Sequence, residues 1–202
     1  MILTEVGEIG VHVDGREVVL RPSLYAMSRL GEPREIVDVY GDVVGEAVNE
    51  VGRRHQFSGA LAVLFCCTEE DVTDVFGHMT GSGYVPGRVP LDHIVALARC
   101  LLKHGIVGAL PEPQRRADDE PTYTHEFDAR GYVALAMAHL DQSEREAWNL
   151  TMTGLIGALR AKFPPQESDA PGAKAPTKEQ HEATMEWFER IEAKRRKSQG
   201  GH

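Results

Sequence analysis

The feature that most constrains the fold is an Asp14-Gly15 dipeptide between two runs rich in β-branched residues. Apolar residues alternate along 9–13, and a second β-rich run follows at 16–21. A type I′ hairpin turn needs a positive φ at both of its central positions, which Asp and Gly tolerate. The sequence therefore predicts an N-terminal β-hairpin with strands near 4–13 and 16–21.

Beyond this hairpin the apolar residues recur every three or four positions, and this spacing predicts helices. Ser23 is the expected N-cap of a first helix that ends at Gly31. The stretch "TGSGYVPGRVP", residues 80–90, is expected to be an exposed loop because it is rich in Gly and Pro. The other helices are predicted over 33–51, 58–67, 68–79, 91–104, 127–140, 143–148 and 153–163. The expected fold class is mainly α with a small N-terminal β-hairpin, which is an α+β arrangement.

A change of composition divides the chain into two parts. Residues 164–176 are rich in Pro, Ala and Gly and contain no large apolar residue, which predicts a linker. A mainly helical domain, residues 1–163, precedes this linker. An amphipathic C-terminal helix with a basic tail, residues 177–202, follows it.

The C-terminal helix presents an apolar face that consists of Met185, Trp187, Phe188 and Ile191. An isolated helix of this length is marginal in water, so we expect this face to be covered. It could fold back onto the main core, or it could bind a partner in which large aromatic side chains are the anchors. Our hypothesis is that these four residues bind a partner.

Composition excludes several classes of protein. The formal net charge of −9 argues against a nucleic-acid-binding surface, because such binding depends on Lys and Arg replacing counterions. No run of apolar residues approaches the length of a membrane span, and the N-terminus lacks the pattern of a signal peptide. The chain has three cysteines without the spacing of a disulfide framework. We expect a soluble, cytoplasmic protein that binds neither nucleic acid nor membrane.

No motif predicts catalysis or a cofactor. The closest candidate is His93, Cys100 and His104, which share one predicted helix, but a pair of ligands one turn apart does not make a metal site. Cys66 and Cys67 lie in an apolar run and are expected to be core residues. The glycines at 81, 83 and 87 lack the strand, helix and Lys of a phosphate-binding loop. We therefore expect no catalytic, cofactor-binding or metal-binding residue. By elimination, we expect a binding or assembly protein.

Two stretches of the chain resemble the tail assembly chaperones of long-tailed bacteriophages. "GEIGVHVDGREVVLRPSLYAMSRL", residues 7–30, is similar to the N-terminal region of these chaperones, which has a Gly-Glu, a short hairpin and an "LRPS"-like start of a helix. "EAWNLTMTGLIGALRAKFP", residues 146–164, is similar to their recurring pattern of Trp, Thr and a short helix, here Trp148, Thr151 and Thr153.

The resemblance implies a non-enzymatic protein of the host cytoplasm. Such chaperones bind the tape-measure protein, keep it soluble and help the tail-tube protein to polymerise around it, without a cofactor, and a homo-oligomer is possible. Two alternatives remain open. One is a structural virion tail component, such as a terminator or adaptor. The other is a small metal-dependent enzyme that uses His93, Cys100 and His104.

Overall fold

The structure is a computed structural model that describes residues 2–4, 6–110 and 125–164. The chain divides into two units, Met1–Phe163 and Pro164–His202. Apart from Pro164, the predicted linker and the predicted C-terminal helix lie outside the described residues.

The first unit contains both helices and strands. In chain order these are β1 Ile2–Leu3, β2 Ile9–Val13, β3 Arg16–Leu20, α1 Leu24–Ser28, α2 Pro33–Val44, α3 Glu50–Cys66, α4 Thr73–Phe76, β4 His78–Thr80, β5 Gly83–Val85, α5 Leu91–Leu102, a π-helical turn Lys103–Val107, α6 Ala129–Leu140, α7 Glu144–Asn149 and α8 Met152–Lys162.

The N-terminal sheet has the order β1-β2-β3 and is antiparallel. Asp14 and Gly15 form the turn between β2 and β3 with φ values of 48° and 81°, so the predicted hairpin is confirmed. The first strand of the hairpin is shorter than predicted, because Gly7 N–H donates to the carbonyl of Thr4 (2.9 Å) and turns the chain before β2. The fold class, mainly α with a small N-terminal hairpin, is confirmed.

The single helix predicted over 33–51 is wrong. Helix α2 ends at Val44, and a separate helix α3 begins at Glu50 and replaces the shorter one predicted over 58–67. Asn49 causes the new start because its side chain accepts a hydrogen bond from Gly52 N–H (2.8 Å). Val48 is 90% exposed, so its position in the apolar repeat does not correspond to a buried position in the fold.

The helix predicted over 68–79 is also wrong, and residues 80–90 are mostly exposed as predicted but include the strand β5. Helix α4 is one short turn that stops where Gly77 adopts a φ of 74°. The chain then forms a second antiparallel hairpin from β4 and β5. Thr80 fixes its turn by donating from its hydroxyl to the carbonyl of Gly83 (2.7 Å).

Gly105 does not end the helix that begins at Leu91. The chain continues through it as a π-helical turn. A Cβ at Gly105 would lie 2.8 Å from Met27 Sδ, so this glycine allows the turn to approach α1 closely. The three last helices, α6, α7 and α8, begin and end within about two residues of the predicted bounds.

The core lies between the sheet, α1, α3 and α5. Helices α2, α4 and α8 add further buried side chains to it. The largest fully buried side chains are Val18, Leu20, Leu24, Met27, Ile36, Val43, Leu64, Phe76, Ile94, Leu101, Leu102 and Leu155. Within the described ranges, no helix is both long and apolar enough to cross a lipid bilayer.

Candidate partner-binding groove

The two stretches that carry the resemblance, 7–30 and 146–164, contact each other in the fold. Leu24 N–H donates to the carbonyl of Leu150 (2.8 Å), and Ser23 forms an isolated antiparallel bridge with Thr151. Thr151 caps α8 by accepting from Gly154 N–H (3.0 Å), and its hydroxyl donates to the carbonyl of Val6 (2.7 Å). The start of α1 is thereby fixed against the start of α8.

An open groove of about 1510 Å³ lies beside this junction. Residues of α1, the start of α2, α6 and α7 line it. The buried side chains of Ile36, Phe127 and Val133 belong to its lining, and Met137 adds a side chain that is 43% exposed. Small-molecule sites are typically clefts or cavities of about 300–1,000 Å³ that bury most of the ligand, so a larger open groove fits a segment of another protein better.

An aromatic pair lies in the groove. The rings of Tyr25 and Trp148 pack edge to face with their centroids 6.2 Å apart. Tyr25 is 49% exposed and Trp148 is half-buried, although both rings could bury large apolar area. The Trp148 indole N–H donates to Glu144 Oε1 (3.4 Å), which holds the ring to its own helix. Half-exposed aromatic side chains of this kind are typical anchors of protein interfaces.

Helix α6 also contributes to a second, smaller apolar cleft of about 470 Å³. Leu135 and His139 of α6 line it together with Ile156, Leu159 and Phe163 of the α8 region. Phe163 is 55% exposed and packs edge to face on the His139 ring at 5.7 Å. Helix α6 is therefore apolar on both its buried and its exposed sides, which is unusual for a surface helix.

The metal-ligand candidates do not come together. Within the described part of the chain no group of three or more His, Cys, Asp or Glu side chains could hold a metal ion. His93 is half-exposed and lies 3.9 Å from Asp92, whereas Cys100 is half-buried.

His104, the third candidate, is buried and has a structural partner. Its Nδ1 lies 3.0 Å from Thr153 Oγ1, which also accepts from Ala109 N–H (3.0 Å). Burial lowers the pKa of His104, and the positive charge of Lys103 lowers it further. Its imidazole also packs against Gly7, where a Cβ would lie 2.3 Å from His104 Cγ.

The cysteines and glycines that were considered for reactive or phosphate-binding roles also have structural roles in the fold. Cys67 is buried, and burial raises the pKa of its thiol and of the neighbouring Cys66 thiol, which opposes reactivity. Gly83 belongs to the β4–β5 hairpin, and Gly87 passes so close to Gly77 N that a Cβ would lie 2.3 Å from it. These glycines shape the second hairpin.

The predicted partner-binding residues Met185, Trp187, Phe188 and Ile191 lie outside the described residues. The groove was not predicted. Trp148 was noticed only as part of the resemblance, and no local signal in the sequence indicated that it would meet Tyr25.

The comparison with known families gives one match, over residues 48–183, to a family of unknown function (DUF6246). The chain belongs to this family. No curated protein and no solved structure matches it.

The DUF6246 match covers one side of the groove and not the other. It includes α6 and α7, with Trp148, whereas Tyr25 of α1 precedes the matched residues. The matched range also ends before Met185, the first of the predicted partner-binding residues.

Proposed function

We propose that this DUF6246 protein is a non-enzymatic tail assembly chaperone of a long-tailed bacteriophage. It binds the tape-measure protein in the host cytoplasm and helps the tail-tube protein to assemble around it. The observation that carries the proposal is the open groove with the half-exposed Tyr25–Trp148 pair, beside the junction of the two stretches that resemble such chaperones.

Three features support this function. The groove is open and partly apolar, as a site for a helical segment must be. The aromatic pair offers anchors whose rings remain partly available in the free protein. The net charge of −9 opposes self-association of a body that exposes apolar surface.

The test is co-expression with the tape-measure protein of the same phage, followed by affinity purification of the complex. Wild-type protein is expected to keep the tape-measure protein soluble and to co-purify with it. Tyr25→Ala combined with Trp148→Ala should reduce capture by about thirtyfold or more, because the loss of even one such aromatic anchor costs about 2 kcal/mol or more.

The matched control removes exposed apolar surface elsewhere. Met79→Ala combined with Val85→Ala changes two side chains of the β4–β5 hairpin that are 54% and 42% exposed. This variant should capture the partner as well as wild type. Because Trp148 is half-buried, Tyr25→Glu serves as a second variant whose fold is less at risk. Full capture by both groove variants would contradict the proposal.

A structural tail component, such as a terminator or adaptor, is the second candidate. The exposed β4–β5 hairpin favours it, since exposed strands can pair with a neighbouring subunit. Size-exclusion chromatography with light scattering distinguishes the two. A ring-forming oligomer that the Met79 and Val85 variant dissociates would support the structural role, whereas a monomer or small oligomer supports the chaperone.

A further inference from the structure

The polar side chains that are buried among the described residues lie together in one joint of the fold. They are Ser23 before α1, His104 in the π-helical turn, and Thr151 and Thr153 at the start of α8. Ser23 bridges to Thr151, and His104 contacts Thr153. The rest of the described core is apolar. This joint therefore depends on buried hydrogen bonds, and the loss of one partner is costly in such a place.

His104 connects three parts of the fold at the joint. Its Nδ1 lies 3.0 Å from Thr153 Oγ1, in the first turn of α8. Its ring fills the space beside Gly7, in the turn before β2. The π-helical turn that carries it approaches α1 so closely that a Cβ at Gly105 would lie 2.8 Å from Met27 Sδ. Single π-helical turns are frequent at functional sites, so this histidine is a candidate for a role beyond packing.

The hydrogen bonds of Thr153 favour the neutral form of His104. Thr153 Oγ1 accepts from Ala109 N–H (3.0 Å), so its own hydrogen needs an acceptor. His104 Nδ1 lies at 3.0 Å from this oxygen, and the carbonyl oxygen of His104 lies at 3.4 Å. The nearer acceptor exists only while the imidazole is neutral, because both nitrogens of an imidazolium are donors. Protonation therefore removes the acceptor of the shorter hydrogen bond.

The groups around the ring also oppose its protonation. Burial lowers the pKa of His104, and the positive charge of Lys103 lowers it further. Cys100, one turn earlier in α5, is neutral because burial raises the pKa of its thiol. Glu8, at the end of the turn before β2, forms an ion pair with Arg21. The buried residues of α1 and α8 carry no charge, so within these described elements an imidazolium would meet a positive charge and no unpaired carboxylate.

We propose that His104 is a pH-sensitive latch. The neutral ring closes the joint, and its protonation releases the start of α8 from α1 and from the turn before β2. The ordinary pKa of 6.5 belongs to the opened state, and the lowered pKa belongs to the closed state. The stability that the latch contributes is therefore complete above about pH 6.5 and is lost as the pH falls below that value. The latch goes beyond the proposed function, since it requires no partner.

The test is amide hydrogen exchange of the full chain, followed by NMR at about pH 7.5 and about pH 5.5 and corrected for the intrinsic exchange rates. Two amides report on the joint: Ala109 N–H donates to Thr153 Oγ1, and Leu24 N–H donates to the carbonyl of Leu150. Their protection should fall by about threefold to tenfold at the lower pH. The upper limit follows from linkage, because an opened state with a pKa of 6.5 holds about ten protonated rings for each neutral one at about pH 5.5.

Two histidine variants separate the latch from other titrating groups. His104→Asn removes the titration and keeps a hydrogen-bonding group near the position of Nδ1, so the protection of its joint amides should change by less than about 1.5-fold. His93→Asn is the matched control, because it removes a half-exposed histidine of α5, and it should show the loss of wild type. Titration of the His104 Cε1–H signal in wild type needs no variant and should give a pKa below 6.5.

The latch is supported if the loss of protection occurs in wild type and His93→Asn and is absent in His104→Asn. It is overturned by unchanged protection of wild type, by an equal loss in His104→Asn, or by a measured pKa of His104 at or above 6.5. At the lower pH both joint amides should also stay less protected than Leu97 N–H inside α5. Equal protection of all three would show that acid opens the whole core, and a latch that acts on the joint alone would then be wrong.

Discussion

Two glycines near the N-terminus show how differently single residues contribute. Gly15 has a φ of 81°, and no heavy atom lies within 4 Å of the place that a Cβ would take, so its role is conformational. Gly7 has a φ of 92°, and the His104 ring occupies the space that a Cβ would need. The first role is local and was predictable from Asp14-Gly15. The second depends on a residue far along the chain, and nothing in the sequence near Gly7 indicated it.

We predict that Gly15→Ala destabilises the protein by about 1–2 kcal/mol, because an L-residue is strained in the left-handed region. Gly41→Ala is the matched control, since this glycine lies inside α2 and also has open space around it. Its helical backbone suits alanine, so the control should gain about 0.5–1 kcal/mol. Urea denaturation of both variants measures the two changes. Equal stability of Gly15→Ala and wild type would argue against the positive-φ turn.

At the scale of elements, Thr151 connects three parts of the fold. It caps α8, bridges to Ser23 before α1, and binds the carbonyl of Val6 ahead of β2. Its side chain is buried, so neither hydrogen bond can be replaced easily by water. One hydroxyl therefore joins the turn before β2 to the start of the last described helix.

We predict that Thr151→Val, which keeps the shape and removes the hydroxyl, costs about 1–3 kcal/mol of folding stability. Thr151→Ser retains the hydroxyl and should lose about 1 kcal/mol or less, from the missing methyl group. Thermal and urea unfolding of the two variants gives the comparison. A Val variant as stable as the Ser variant would mean that neither hydrogen bond contributes.

The errors of sequence prediction among the elements have physical causes. The start of α3 depends on Asn49, whose capping signal competed with an apolar spacing that continued through Val48 and Val51. The β4–β5 hairpin is too short for a clear alternation of apolar and polar residues, and the Gly and Pro residues in and after it are typical of a loop. The groove was not predictable, because its two aromatic rings come from helices far apart in the sequence and meet only through tertiary packing.

At the scale of the whole molecule, the buried hydrophobic core of the described residues lies in the unit Met1–Phe163. Its last fully buried large side chain is Leu155, ahead of the predicted linker 164–176. Truncation after Pro165 should therefore leave the thermal transition of the remaining chain little changed, and should weaken capture of the tape-measure protein. The expected loss of capture follows from the hypothesis that the apolar face of the C-terminal helix makes a second contact with that partner.

Trp187→Ala combined with Phe188→Ala in the full chain should reproduce most of the loss, because aromatic anchors dominate such contacts. Differential scanning calorimetry and the co-expression assay measure the two effects. An unfolded or aggregated truncated protein would show instead that residues beyond 165 belong to the core, and the second contact would then be wrong even if the groove binds its partner.

The hydrogen bond from Thr151 to Val6 spans 145 positions of the sequence, and this separation has a consequence for synthesis on the ribosome. The strands of the N-terminal sheet emerge first, but Val6 and Leu24 receive their partners only after 150 and 151 have been translated. At about 5–20 residues per second the wait of Val6 is roughly 7–29 s. Until Trp148 has left the ribosome, a nascent chain lacks part of α7 and therefore has no complete groove.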